Sequence, residues 1–230
     1  LRPVRSDDDV TVVYAAGHNT ALKMDRLDSL RRSLRSSSSG KGASEAQARA
    51  SALCEAVERY SGEWTGGELR IPRALNDWSE GEAIHPNDVM RFSERQYAER
   101  EVWNSRGSRF NRVPEPFDPE RIVDWTPVWS LTEERHKYLP TQLLYYRAPA
   151  RDGDESVYSI GCSNGAASGN TLAEALLQGF FELVERDAVA VWWYNMLSRP
   201  GVDAESFGDP WIVKLAAYDR ERWGREAWAL

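Results

Sequence analysis

Two stretches of this sequence hold carboxylates in a spacing that can do chemistry. Glu55, Glu58 and Arg59 form one E-x-x-E-R, and Glu182, Glu185 and Arg186 form another. Residues three and four apart adjoin on a helix, so each motif sets two acids and a base on one face. If the two motifs face each other, four carboxylates converge. Two like charges about 4 Å apart cost on the order of 4 kcal/mol at an effective dielectric of ~20. Two arginines do not offset several such repulsions, whereas a bound cation does. An all-oxygen donor set favours Mg²⁺, which carboxylates usually hold together with a phosphate substrate. The Ser/Gly-rich loops SSSSGKGA and CSNGAASGN precede the motifs and add amide donors for an anion at a helix N-terminus. Together these residues point to binding of a magnesium nucleotide. The plain alternative is a solvated helix face braced by Glu55–Arg59 and Glu182–Arg186 pairs, each worth a few tenths of a kcal/mol.

The elements that must carry these residues are legible from periodicity. Over Thr171 to Trp193, Glu174, Gln178, Glu182, Glu185 and Arg186 share one arc, and Leu172, Leu176, Leu177, Phe180, Leu183 and Val184 share the other. Val189, Trp192 and Trp193 extend the polar arc, which predicts that the acidic face looks into a walled cavity with its carboxylates partly desolvated. A second copy aligns without gaps at an offset of 127 residues, Glu55 to Glu182: Gly42 matches Gly169, Ala46 matches Ala173 and Ala48 matches Ala175. Ser44 with Gln47 and Thr171 with Glu174 are both capping boxes, so the two helices begin at the same point relative to their motifs. The repeat units span about 36–62 and 163–196 of a single domain, residues 1–230.

In chain order the sequence predicts a strand at Asp9–Ala16 and a capped helix from Ser44 to about Gly62. A short strand follows at Glu68–Arg73. A helix-compatible segment runs near Pro86–Ser105, entered by the turn His85-Pro86-Asn87-Asp88. Ile122–Leu131 and Tyr138–Tyr146 read as strands joined by the charged turn Thr132–Lys137, and Tyr158–Cys162 as a third strand. A final helix runs from Pro210 to about Tyr218. Strands and helices are mixed, so the expected class is α/β or α+β, with the site between the two loop–helix units.

Composition narrows the functional classes. A net charge of -7 argues against a nucleic-acid surface, although Arg31, Arg32 and Arg35 form a local basic cluster within the run 23–35, which reads as either loop or helix. No apolar run approaches a membrane span, no signal-peptide pattern is present, and Cys54 and Cys162 make neither a disulfide framework nor a metal site. A reducing cytoplasm is the expected compartment. The sequence starts at Leu1 and ends within a structured-looking run, so it is expected to be a piece of a longer chain. Lys41 lies in G-K-G, but Arg35 and Gly42 stand where a P-loop needs Gly and Ser/Thr. It is either a phosphate-side lysine or a surface one. His18, His85 and His136 have no metal or triad spacing, and Cys54 reads as packing.

GKGASEAQARASALCEAVERYSG and SNGAASGNTLAEALLQGFFELVERDA resemble the two signature blocks of the YcaO superfamily. DWTPVWSLT and YLPTQLLYY resemble the block between them in azoline-forming cyclodehydratases. The resemblance covers roughly Val10 to Met196 and implies a YcaO-like fold that binds ATP and Mg²⁺ without a P-loop. It implies Glu55, Glu58, Glu182 and Glu185 as Mg²⁺ ligands, Ser51, Asn170, Glu174 and Arg186 as nucleotide contacts, and Arg186 as a catalytic cation, to which the G-K-G loop adds Lys41 as a second candidate. The implied reaction activates a peptide amide so that Cys, Ser or Thr closes to a thiazoline or oxazoline. The implied partners are a ribosomal precursor peptide and a leader-binding, E1-like (ThiF-like) protein, and a homodimer is compatible with the family. The family's C-terminal part, with the cyclodehydratases' proline-rich tail, is not in the sequence, so the expected site lacks one wall. Related YcaO proteins imply thioamide or amidine formation as an alternative, and a non-catalytic scaffold of the same fold is another.

Overall fold

The computed structural model describes residues 1–4, 10–17, 37–108, 112–151, 156–226 and 228–229. His18, the run 23–35 and its arginine cluster lie outside the described residues. The chain divides into two compact units, residues 1–61 with 164–230, and residues 62–163.

The first unit is built on an antiparallel sheet of β1 (Arg2–Val4), β2 (Val12–Gly17) and β3 (Ser37–Gly42), in that order. β2 is the expected valine-rich strand. β3 corrects the expected Ser/Gly loop at 36–43, because SSSGKG pairs with β2 from Val12↔Gly42 to Gly17↔Ser37. On its inward side the composition is loop-like because packing excludes larger side chains. Alternate residues Ser38 and Gly40 face α1 (Glu45–Ser61), whose buried residues are Ala48 and Ala52. A Cβ at Gly40 would stand 2.0 Å from the Ala52 amide nitrogen, so strand and helix meet backbone to backbone.

α6 (Leu172–Tyr194) starts at the Thr171 cap as the sequence requires. Its buried residue is Gly179, where a Cβ would come within 2.6 Å of the Gly165 carbonyl oxygen. The small residue has changed sides between the repeats: Gly40 faces Ala52 in the first, and Ala167 lies beside Gly179 in the second. Beyond α6 comes a helix capped by Asp209, α7 (Pro210–Trp223), longer than the expected Pro210–Tyr218. The Trp211 indole N–H of α7 donates to the Val10 carbonyl at 2.8 Å.

The second unit is organised by β4 (Ile71–Arg73), β5 (Val123–Ser130) and β6 (Arg135–Pro140), also antiparallel. Trp125 of β5 is fully buried with Phe117, Val123 and Tyr158, and its indole N–H donates to Arg73 O at 2.9 Å. The expected strand Tyr138–Tyr146 is corrected: β6 begins inside the supposed turn and stops at Pro140, and Thr141–Leu144 is one helical turn, α5. Glu134 turns the chain at φ 50°, while Arg135 and Lys137 both bond Glu133, so the charged residues close a tight hairpin. Thr126 Oγ1 donates to Leu69 O at 3.0 Å and accepts from Thr141 Oγ1 at 2.9 Å, which fixes the start of α5. The segment 86–105 is three short helices, α2 (Pro86–Met90), α3 (Glu94–Ala98) and α4 (Arg100–Asn104). They separate where Arg91 takes φ 60° and Ser93 makes a new capping box. Tyr158–Cys162 is not a strand. Tyr158 is spent on the core, Val157 O accepts from Glu115 N at 2.7 Å, and Gly161 lies against the carbonyls of Gln142 and Leu143.

Candidate functional site

The two E-x-x-E-R helices and the loop ahead of α6 line one open cavity of about 420 Å³ in the first unit. α1 contributes Ser51, Cys54, Glu55 and Glu58; α6 contributes Glu174, Gln178 and Glu182; Ala166, Ala167 and Ser168 line it from the loop. Of the residues expected to act, the cavity gathers Ser51, Glu55, Glu58, Glu174 and Glu182. Asn170 and Arg186 stand one contact away, on Glu174 and Glu182, whereas Glu185 and Lys41 are exposed and outside the lining. The expected wall of Val189, Trp192 and Trp193 is corrected. Val189 and Trp193 are exposed, and Val189 and Trp192 border a separate apolar cavity toward the end of α6, so the small loop residues flank the acids instead.

Local bonds repeat between the two loop–helix segments, both of which lie in the first unit. Ser44 Oγ accepts from Gln47 N at 3.3 Å and Thr171 Oγ1 from Glu174 N at 3.2 Å. Gln47 Oε1 accepts from Ala43 N at 2.9 Å, and Glu174 Oε2 from Asn170 N at 2.9 Å. Glu55 accepts from Ser39 N at 3.0 Å and Arg59 Nε at 3.1 Å; Glu182 accepts from Gly165 N at 3.0 Å and Arg186 at 3.2 Å. Each forward glutamate is therefore held by a backbone amide on one oxygen and by its own arginine on the other.

The rear glutamate of the first motif has no such guanidinium bond. Burial raises the Glu58 carboxyl above its ordinary value, the Glu182 charge adds to the rise, Arg59 opposes it and Glu55 adds again. The influence of Glu182 on Glu58 is the electrostatic sign that the two motifs converge. Among the described residues no three His, Cys, Asp or Glu side chains already form a metal-coordinating group. The donors nonetheless suit a hard cation, since the acids are all carboxylates and their mutual repulsion is what a divalent ion relieves.

Gln178 was not singled out from the sequence as a site residue, yet it lines the cavity. The 127-residue offset carries Ser51 onto Gln178, so the repeat itself held the signal.

A family model described as YcaO cyclodehydratase, ATP- and Mg²⁺-binding, matches residues 39–230. The chain belongs to the YcaO family. A heterocyclase solved in complex with substrate and cofactor superposes on this YcaO chain with a TM-score of 0.88, at 46% identity over 99% of the chain and 30% of that protein. The heterocyclase TruD gives a TM-score of 0.70 at 50% identity, over 78% of the chain and 26% of its own. YcaO from Methanopyrus kandleri, solved with AMPPCP and Mg²⁺, gives 0.60 at 20% identity over 98% and 47%, a likeness of fold. An uncharacterised protein of Methanothermobacter thermautotrophicus is 30% identical over 166 residues, 72% of the YcaO chain and 36% of the relative. The chain thus spans between about a quarter and somewhat over a third of the length of that relative and of the two heterocyclases. Among the described residues no helix is long and apolar enough to cross a membrane.

Proposed function

We propose that this chain is the magnesium- and nucleotide-binding part of an ATP-dependent cyclodehydratase acting on a ribosomally made peptide. The observation that carries this reading is the cavity in which Ser51, Glu55, Glu58, Glu174, Gln178 and Glu182 meet, with the Glu58 carboxyl raised by burial and by Glu182.

In this reading Glu55, Glu58 and Glu182 of the lining, together with Glu185 just outside it, would hold Mg²⁺, and Ser51, Asn170, Glu174 and Arg186 would hold the nucleotide. The bound ion supplies charge neutralisation for both the carboxylates and the polyphosphate. Arg59 and Arg186 are bonded to Glu55 and Glu182, and with those acids engaged by a cation their guanidinium groups would suit phosphate oxygens. The amides at Ser39 and Gly165 keep the glutamates oriented meanwhile.

A Cys, Ser or Thr side chain of the peptide adds to the preceding carbonyl carbon and loses its proton. The resulting oxyanion displaces ADP from the γ-phosphate. Loss of inorganic phosphate and of the amide N–H proton leaves the azoline. Positioning and electrostatic stabilisation by Arg186, with Lys41 outside the lining as the second candidate cation, would be the protein's share, as in other phosphoryl transfers. A leader-binding E1-like partner delivers the peptide, and residues 1–230 act as one domain in this scheme.

The test uses a peptide whose reacting carbonyl carries heavy oxygen, incubated with ATP, the E1-like partner and a chain extended to the relatives' length. The expected result is loss of one water per ring and transfer of the label to phosphate. Label retained in the peptide, or ATP consumed only with sulfide or ammonia present, rejects the cyclodehydratase reading.

A further inference from the structure

Ser168 occupies a position that neither capping nor sheet pairing explains. Its hydroxyl donates at 3.0 Å to the carbonyl of Cys54, in the middle of α1, and the residue lines the acidic cavity. An α-helical carbonyl at that position already receives the N–H four residues on, here Glu58, so the hydroxyl takes the second lone pair. That turn carries Ser51 before it and Glu55 and Glu58 after it.

The same loop is fastened to the other helix. Gly165 N donates to Glu182 at 3.0 Å, and the Gly165 carbonyl lies so close to Gly179 that a Cβ there would stand 2.6 Å away. Residues 165–168 therefore bridge α6 to α1, with Ser168 as the α1 end of the bridge. The first repeat lacks this device: the counterpart of Ser168 at the 127-residue offset is Lys41, which sits in β3 opposite Val13.

We propose that Ser168 is a positioning residue that sets the spacing of the two E-x-x-E-R helices through its bond to Cys54, and thereby the affinity for a magnesium nucleotide. The inference rests on the nucleotide reading above. It predicts an effect specific to the metal-bound ligand, because only a ligand held by acids from both helices senses their separation.

The test titrates a non-hydrolysable ATP analogue, with and without Mg²⁺, into wild type, Ser168→Ala, Ser168→Thr and Glu182→Gln, and compares amide exchange at 165–168 without ligand. Ser168→Ala is expected to weaken Mg²⁺-dependent binding on the order of five-fold, the worth of one neutral hydrogen bond, without altering metal-free binding, and to lower the thermal midpoint by no more than about 4 °C. Its 165–168 amides are expected to exchange several-fold faster, and Ser168→Thr to restore both readouts. Binding and exchange in Ser168→Ala equal to wild type overturn the proposal while leaving the site intact. Wild type and Glu182→Gln binding alike, with or without Mg²⁺, removes the nucleotide reading and the role of Ser168 with it.

Discussion

At the scale of single residues, the site trades stability for a ligand. Glu58 carries a carboxyl raised above its ordinary 4.5 by burial and then by the Glu182 charge. A raised acid contributes stability fully below the unfolded value and loses it as pH rises through the folded one. The ionised Glu58 therefore weakens the metal-free fold at neutral pH. Glu58→Gln is expected to raise the thermal midpoint of metal-free protein near pH 7, leave it unchanged below about pH 4, and abolish the stabilisation that Mg²⁺ gives wild type. Thermal melts at the two pH values, with and without Mg²⁺, check this. The residue scale was also where the sequence said most. Glu55, Glu58 and Glu182, which line one cavity, are legible because a motif repeated in register at a helical period is hard to produce by surface chance, whereas Ser51 and Glu174 are marked out by the family resemblance. Gln178 escaped because it matches Ser51 in place but not in type.

At the scale of elements, the helices were legible and the strands only partly so. Capping boxes at Ser44 and Thr171 fix where α1 and α6 begin, and those bonds are present. β3 was hidden because tertiary packing, which excludes every side chain larger than serine from its α1-facing side, overrides strand propensity. Gly40→Ala is accordingly expected to destabilise the first unit by about 1–3 kcal/mol in a denaturant titration. Gly67→Ala, whose nearest atom would be Thr65 Oγ1 at 4.0 Å, is the comparison and costs far less.

In the second unit, the link into β4 is pinned by Glu68. Burial pushes this carboxyl up, but the Thr65 hydroxyl and the Thr65 and Gly66 amides, each at 2.7 Å, outweigh it and hold it at about 2. A depressed acid gives stability that is present above its unfolded value and lost as pH falls through the folded one. Glu68→Gln is therefore expected to flatten the acid limb of unfolding between the ordinary 4.5 and about 2, followed by tryptophan fluorescence of the second unit.

For the whole molecule, the sequence reading of a mixed α/β chain with a nucleotide site and no P-loop accords with YcaO membership. What the sequence could not reveal is how the glutamates of the site are held. Glu55 and Glu182 are each latched to a following arginine and a preceding amide, a pattern visible only once β3 and the 165–168 loop are placed. Both motifs lie on helices, α1 and α6, that line one cavity, so the proposed ligand accounts for the two motifs at once.

The most direct measurement is calorimetric titration of a non-hydrolysable ATP analogue into wild type and Glu182→Gln, each with and without Mg²⁺. The account predicts binding to wild type that requires Mg²⁺ and falls at least about tenfold in Glu182→Gln, the loss of one ligating carboxylate. Equal affinity in all four titrations would contradict it.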